Sequence, residues 1–260
     1  MSVLARFRAV PDKDKSSLVR KLVESGTADF DYFYLVGLST LMATFGLLLD
    51  SSSIVIGSML IAPLMYPILG VSLGLVMMGE RISVLQRATK TLSKSLLSGV
   101  ILAATAAVLL GGDLSQILEN SEVMARTEPS LLHLFVAIVA GAAVAYMLAR
   151  PEWSETLPGV AIAVALIPPL ATIGIGIAAL NMFIIQGAFT ILLLNLIGII
   201  GVATFLFLLM NLSDKDKIAE STIKKEAEKQ LQENKVIAEI EEQITIKKVR
   251  TETVHEDIVA

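Results

Sequence analysis

Few residues in this chain can do chemistry, and none of the usual constellations is complete. The chain has 260 residues, no Cys and two His. A Cys nucleophile, a thiolate-bound zinc and a disulfide framework are therefore excluded. No phosphate loop, G-x-G-x-x-G run or H-E-x-x-H occurs, so an NTP-driven enzyme or a zinc hydrolase of that type has no visible apparatus. Basic residues interleaved with aromatics, which nucleic-acid stacking needs, are missing too. The expectation is a protein that is not an enzyme, with no cofactor, no metal and no nucleic-acid partner.

What remains is a small set of polar residues and prolines inside apolar surroundings. Ser58, Pro63 and Pro67 stand in one apolar run, Pro168, Pro169 and Thr172 in another, and Asn195 lies in Leu-Leu-Leu-Asn-Leu. A proline inside a membrane helix removes a backbone donor, and the freed carbonyl needs another partner. Carbonyls and helix ends exposed at such a break can coordinate an ion near the middle of the bilayer. These seven residues and Asp50 are the candidates for a substrate or ion pathway. For each, a plainer role competes. The prolines can simply kink helices for packing, and Asn195 can hydrogen-bond across to another helix. Asp50, beside Ser51-Ser52-Ser53, can attract a cation or cap the helix that follows.

The elements that must position these residues follow from hydropathy. The chain is 54% hydrophobic and only 18% charged, with a mean hydropathy of +0.72, which places it in a membrane. A helix needs about 20 apolar residues to cross the hydrocarbon. The uncharged runs Tyr32–Leu49, Ile54–Met78, Ser95–Leu110 and Leu131–Ala149 each supply one span, and a longer run divides at Asn181 into Leu157–Leu180 and Phe183–Met210. Six transmembrane helices are predicted. All but Arg126 of the 21 Lys and Arg fall on one side of that arrangement, which sets both termini in the cytoplasm by the positive-inside rule. No span carries Lys, Arg, Asp or Glu near its centre, so a proton relay or voltage sensor of the usual type is missing.

Two segments repeat a pattern: Ile56-Gly-Ser-Met-Leu-Ile-Ala-Pro-Leu-Met-Tyr-Pro-Ile-Leu-Gly70 and Ala161-Ile-Ala-Val-Ala-Leu-Ile-Pro-Pro-Leu-Ala-Thr-Ile-Gly174. Aligning Pro63-Leu64 with Pro169-Leu170 overlays the first three spans on the last three. Three crossings per half make the second half enter from the opposite face, an inverted 3+3 repeat with the second and fifth spans broken by proline. Around these breaks, Gly57, Gly70, Gly74, Gly174 and Gly176 are expected to let helices pack closely.

The expected fold is thus all-α and integral to the membrane. Residues 1–31 form a cytoplasmic N-terminal segment without a signal-peptide design, with a surface helix near Ser16 to Gly26. Residues 32–210 form the transmembrane domain, with repeat halves at about 32–110 and 131–210. Residues 211–260 form a charged helical tail in the cytoplasm. In that tail only Ile237, Ile240 and Ile244 keep a clean heptad rhythm, so a solvated helix and a self-associating one are both open.

Over roughly Tyr32 to Met210 the chain resembles the domain-of-unknown-function 389 family of bacterial and archaeal membrane proteins. The resemblance rests on Val55-Ile-Gly-Ser-Met-Leu-Ile-Ala-Pro-Leu-Met-Tyr-Pro-Ile-Leu-Gly70, on Leu157-Pro-Gly-Val-Ala-Ile-Ala-Val-Ala-Leu-Ile-Pro-Pro-Leu170 with Gly174, and on Asn195. The family pattern often has Asn-Ser where this chain has Asp50-Ser51. Membership implies an oligomeric, multi-pass inner-membrane protein and no established activity. The functional expectation is a channel or carrier for a small ion or solute, with the bilayer and further copies of itself as partners. The alternative is a membrane scaffold or stress sensor whose 213–260 tail recruits a cytoplasmic partner.

Overall fold

The computed structural model describes residues 10–24, 26, 29–78, 82–112, 114–150 and 156–259. Part of the expected N-terminal segment lies outside the described residues. Among the described residues every regular element is helical.

The first helix, α1 (Asp12–Glu24), buries Leu18, Val19, Leu22 and Val23 and turns its charged residues outward, the stripe that helical periodicity produces. It packs on α4 and on the 3-10 turn Leu212–Lys215, where Lys215 Nζ lies 3.3 Å from Asp12 Oδ1. The surface helix thus begins before Ser16, with the Pro11 carbonyl accepting from the Asp14 and Lys15 N–H groups.

Helix α2 (Phe30–Leu48) is capped by Asp29, whose carboxylate accepts from the Tyr32 N–H at 2.8 Å. It ends where Asp50 takes a left-handed φ of 50°, and the Ser51 N–H reaches back to the Gly46 carbonyl at 2.8 Å. That is the closure of a helix whose last carbonyls must find partners. Helices α3 (Ser52–Met59) and α4 (Met65–Val76) follow, then α5 (Ile82–Leu110) of 29 residues. At 1.5 Å per residue α5 is roughly 43 Å long, more than the roughly 30 Å of a hydrocarbon core. Its surplus is the end that carries Arg87, Lys90 and Lys94.

After the 3-10 turn Leu114–Glu119 and the four-residue α6 (Ser121–Met124) come α7 (Leu131–Leu148), α8 (Thr156–Ala178) and α9 (Met182–Leu209). Asn181, the expected divide in the long apolar run, caps α9 by accepting from the Phe183 and Ile184 N–H groups. Helix α8 lies at the centre. It touches α2, α3, α4, α5, α7 and α9, and every residue from Leu166 to Gly176 is buried.

Helices α2, α5, α7 and α9 are long and apolar enough to cross a membrane. Their outward faces expose Leu97, Ile101, Phe135, Val139, Phe189 and Ile197, a spread of apolar surface that water would not tolerate and acyl chains would. The element expected as one second span is two helices, and α4 alone, with 12 residues, is too short to cross.

By its contacts the chain divides into two units, Met1–Glu220 and Ser221–Ala260. The second consists of the continuation of α10 (Asp216–Val259), along which Leu231, Val236, Ile237 and Ile240 are exposed. Its Lys229–Glu233 pair at 3.9 Å is open to solvent and adds little to its stability.

Candidate functional site

Pro63 and Pro67 divide the labour of ending one helix and starting the next. Pro63 has no N–H to give the Met59 carbonyl, and α3 stops at Met59. The last bonds tighten to three-residue steps, Leu60 N–H to the Gly57 carbonyl and Ile61 N–H to the Ser58 carbonyl, at 3.3 and 3.2 Å. Residues Leu60 to Leu64 are non-helical. Pro67 is the third residue of α4, in the first turn, where a missing N–H costs no intrahelical bond.

One carbonyl beside this break gains a partner from another helix. Ser39, midway along α2, donates its hydroxyl to the Ser58 carbonyl at 2.7 Å, while the Ser58 hydroxyl bonds back to the Val55 carbonyl at 2.6 Å. Both serines are fully buried. Polar groups at this depth are thus satisfied by protein.

The second proline segment behaves differently from the expectation. Helix α8 runs through Pro168 and Pro169 without interruption, so the matched break in the second half is absent. The carbonyls of Val164 and Ala165 lose their helical donors, but the fixed φ of proline is itself helical, and packing against six neighbouring helices holds the segment in line. Buried Thr172 bonds its hydroxyl to the Pro168 carbonyl at 2.9 Å. Asn195 is buried in α9 and is engaged in a polar interaction.

Asp50 is exposed, and its side chain does not cap α3. Its carboxylate accepts from the Ser121 hydroxyl and, at 2.8 Å, from the Glu122 N–H. The sequence candidates therefore do not converge. Ser58 and Pro63 belong to the α3–α4 break, Pro168, Pro169 and Thr172 to the central helix that touches α3, Asn195 to α9, and Asp50 to a turn at one end.

The glycines stand at close helix approaches. A Cβ on Gly74 would lie 2.5 Å from the Leu85 Cα, and one on Gly174 would lie 2.4 Å from the Ala103 Cβ. Gly70 faces Ala88, Gly57 faces the end of Met42, and Gly176 faces Ile184 and Ile185 across the α8–α9 turn. Sequence reasoning missed Gly99, against which Leu170 of α8 and Thr40 of α2 both press, and the Gly141 and Gly198 pair at the α7–α9 crossing. It also missed the pairing of Tyr32 with Ser95, whose hydroxyls lie 2.8 Å apart. Ser95 donates onward to the Thr91 carbonyl, which leaves Tyr32 as donor to Ser95. The available signal was the row of hydroxyls Ser39, Thr40 and Thr44 on an otherwise apolar helix.

Among the described residues, an all-helical bundle with four helices long and apolar enough to cross a membrane is compatible with a multi-pass membrane protein. A family model described as Domain of unknown function (DUF389) matches residues 59–201, just over half of the chain, and the chain belongs to that family. It is 32% identical over 165 residues to an uncharacterized protein of Methanocaldococcus jannaschii, across 64% of this chain and 48% of that protein. The chain thus spans about half the length of this curated relative. No solved structure matches it.

Proposed function

We propose that this protein is a channel or carrier for a small ion or solute, with no catalytic step of its own, and that the α3–α4 break and the proline-bearing α8 beside it frame the pathway. The observation that carries this reading is the non-helical stretch Leu60–Leu64, next to a central helix that touches six others. Non-helical backbone at membrane depth survives only when buried in protein or lining a cavity, and discontinuous helices mark transport sites in several carrier folds.

The finer architecture belongs to the same proposal: six spans as an inverted 3+3 repeat, counting α3 and α4 together as the second and α8 as the fifth. The third helix of each half packs on the second of the other, α5 on α8 and α9 on α4. The first and third helices run in parallel within each half, with Tyr32 beside Ser95 and Gly37 beside Leu102 in one, and Gly198 beside Leu134 and Gly141 beside Val202 in the other. In this reading the protein is a homo-oligomer in the cell's inner membrane with both termini cytoplasmic.

The test is flux. Purified protein in liposomes should pass at least one member of a panel of small ions and solutes, and Pro63→Ala combined with Pro169→Ala should change that flux more than it changes assembly. Absence of any flux from folded protein would end the proposal. A scaffold or stress-sensor role is favoured by one feature, the separate 221–260 unit with its exposed Leu231, Val236, Ile237 and Ile240. Deleting that unit separates the two, since a scaffold loses its cellular phenotype while flux persists.

A further inference from the structure

The Asp50 carboxylate is committed to a segment 71 residues further along the chain. Both of its oxygens lie 3.0 Å from the Ser121 hydroxyl, and one also accepts the Glu122 N–H. Next to it, the Asn120 side-chain amide donates to the Leu47 carbonyl at 2.7 Å. The Ser52 hydroxyl bonds the Glu122 carboxylate, which pairs with Arg126 at 2.7 Å. Three residues of one turn region, Leu47, Asp50 and Ser52, therefore hold one end of the segment 120–127.

The other end sits on α9. Thr127 is buried, and its carbonyl oxygen lies 2.0 Å from where a Cβ would stand on Gly187. No residue but glycine admits the segment at that point. The segment thus joins the α2–α3 turn of the first half to α9 of the second.

Its own structure depends on these attachments. Helix α6 has four residues, too few to form alone against the cost of nucleation. Asn120 caps it by accepting from the Val123 N–H at 2.8 Å, and Asp50 takes the Glu122 N–H, one of the donors that a helix start leaves without a partner. Asp50 also holds a φ of 50°, where glycine would be easier.

We propose that residues 120–127 are a detachable strap, fastened by Asp50 at one end and seated on Gly187 at the other, which opens as a unit while the helix bundle stays folded. In the fastened state α6 is formed and Val123 is fully buried. In the released state α6 is lost and Val123 meets solvent. A local opening of this kind is set by the few bonds that close it. The strap requires neither an ion nor a solute, so it stands or falls separately from transport.

The absence of Cys from the chain makes the test direct. Val123→Cys is labelled with a fluorescent maleimide in the full-length protein in micelles, alone and combined with Asp50→Gly or with Gly187→Ala. The glycine removes the carboxylate without straining the turn, and the alanine pushes Thr127 off its seat. Each is expected to raise the labelling rate roughly tenfold, since each removes or displaces charge-assisted or buried contacts. Val144→Cys, fully buried on α7, is expected to stay unlabelled in all three backgrounds. Unchanged labelling at position 123 in either variant would overturn the two-point fastening. Equal acceleration at positions 123 and 144 would overturn the strap as a separate unit.

Discussion

In the first half of the chain Pro63 and Pro67 stand four residues apart and the backbone between α3 and α4 is non-helical. In the second half Pro168 and Pro169 are adjacent and α8 passes through both. The same residue type at aligned positions ends one helix and merely strips donors from another. Spacing explains part of the difference. Prolines four apart would deprive the carbonyls of Met59 and Pro63 in a continuous helix, and stopping at Met59 lets Pro67 fall in a first turn, where it is harmless. Surroundings explain the rest. Helix α3 has a serine on its neighbour, Ser39, ready to take the Ser58 carbonyl, whereas α8 is gripped on all sides and has no room to unwind. Between helices in lipid the grip is packing rather than the hydrophobic effect, which is why it concentrates at Gly174 and at Gly99 beneath Leu170.

This contrast can be broken at several points. The largest effect is expected at the close approaches. Gly174→Val on α8 and Gly74→Val on α4 should each cost on the order of 3 kcal/mol through overpacking against backbone, read as loss of thermal stability in micelles. If Gly174→Val were tolerated, the grip on α8 would not explain its continuity. Next come the prolines. Pro63→Ala should let α3 extend, so that the amides of Ala62 and Leu64 exchange with deuterium at least about tenfold more slowly once hydrogen-bonded, while Pro168→Ala with Pro169→Ala should leave the slow exchange of residues 170–176 as it was. A reversed pattern would mean that α8 is the element under tension.

Smaller effects come from the hydroxyls. Ser39→Ala removes an interhelical donor from the Ser58 carbonyl and should cost about 1 kcal/mol, measured as a lower unfolding midpoint. Thr172→Val should cost less, about 0.5 kcal/mol, because its hydroxyl bonds a carbonyl of its own helix and ties no second helix to it. Equal costs would show that the two proline segments depend on their hydroxyls alike.

Much of the fold was legible in the residues. The apolar runs, the divide at Asn181 and the charged tail all follow from hydropathy and capping chemistry, which are local. Pro63 as a stop was legible because a missing donor acts on the carbonyl four residues away. The continuity of α8 was not, because proline's own φ permits a helix and only the neighbours decide whether it persists. Nor was the partner of Asp50. The turn Leu-Asp-Ser-Ser-Ser reads as a helix cap, and nothing local to it points to Ser121 or Glu122. The strap's seat was equally hidden, since Gly187 in Ile-Gln-Gly-Ala-Phe looks like any small residue in a span.

The sequence by itself determined that this chain carries helices apolar enough to cross a membrane, where several of them end, and that Lys, Arg, Asp and Glu stay away from the centres of its apolar runs. Those properties depend on residue type and spacing within a few turns. Tertiary structure alone decided which proline segment breaks, which carbonyl Ser39 satisfies, and where Asp50 spends its charge. Each of those outcomes depends on a group brought close by folding from another helix, and the free energy of a buried polar or crowded position is fixed by that neighbour.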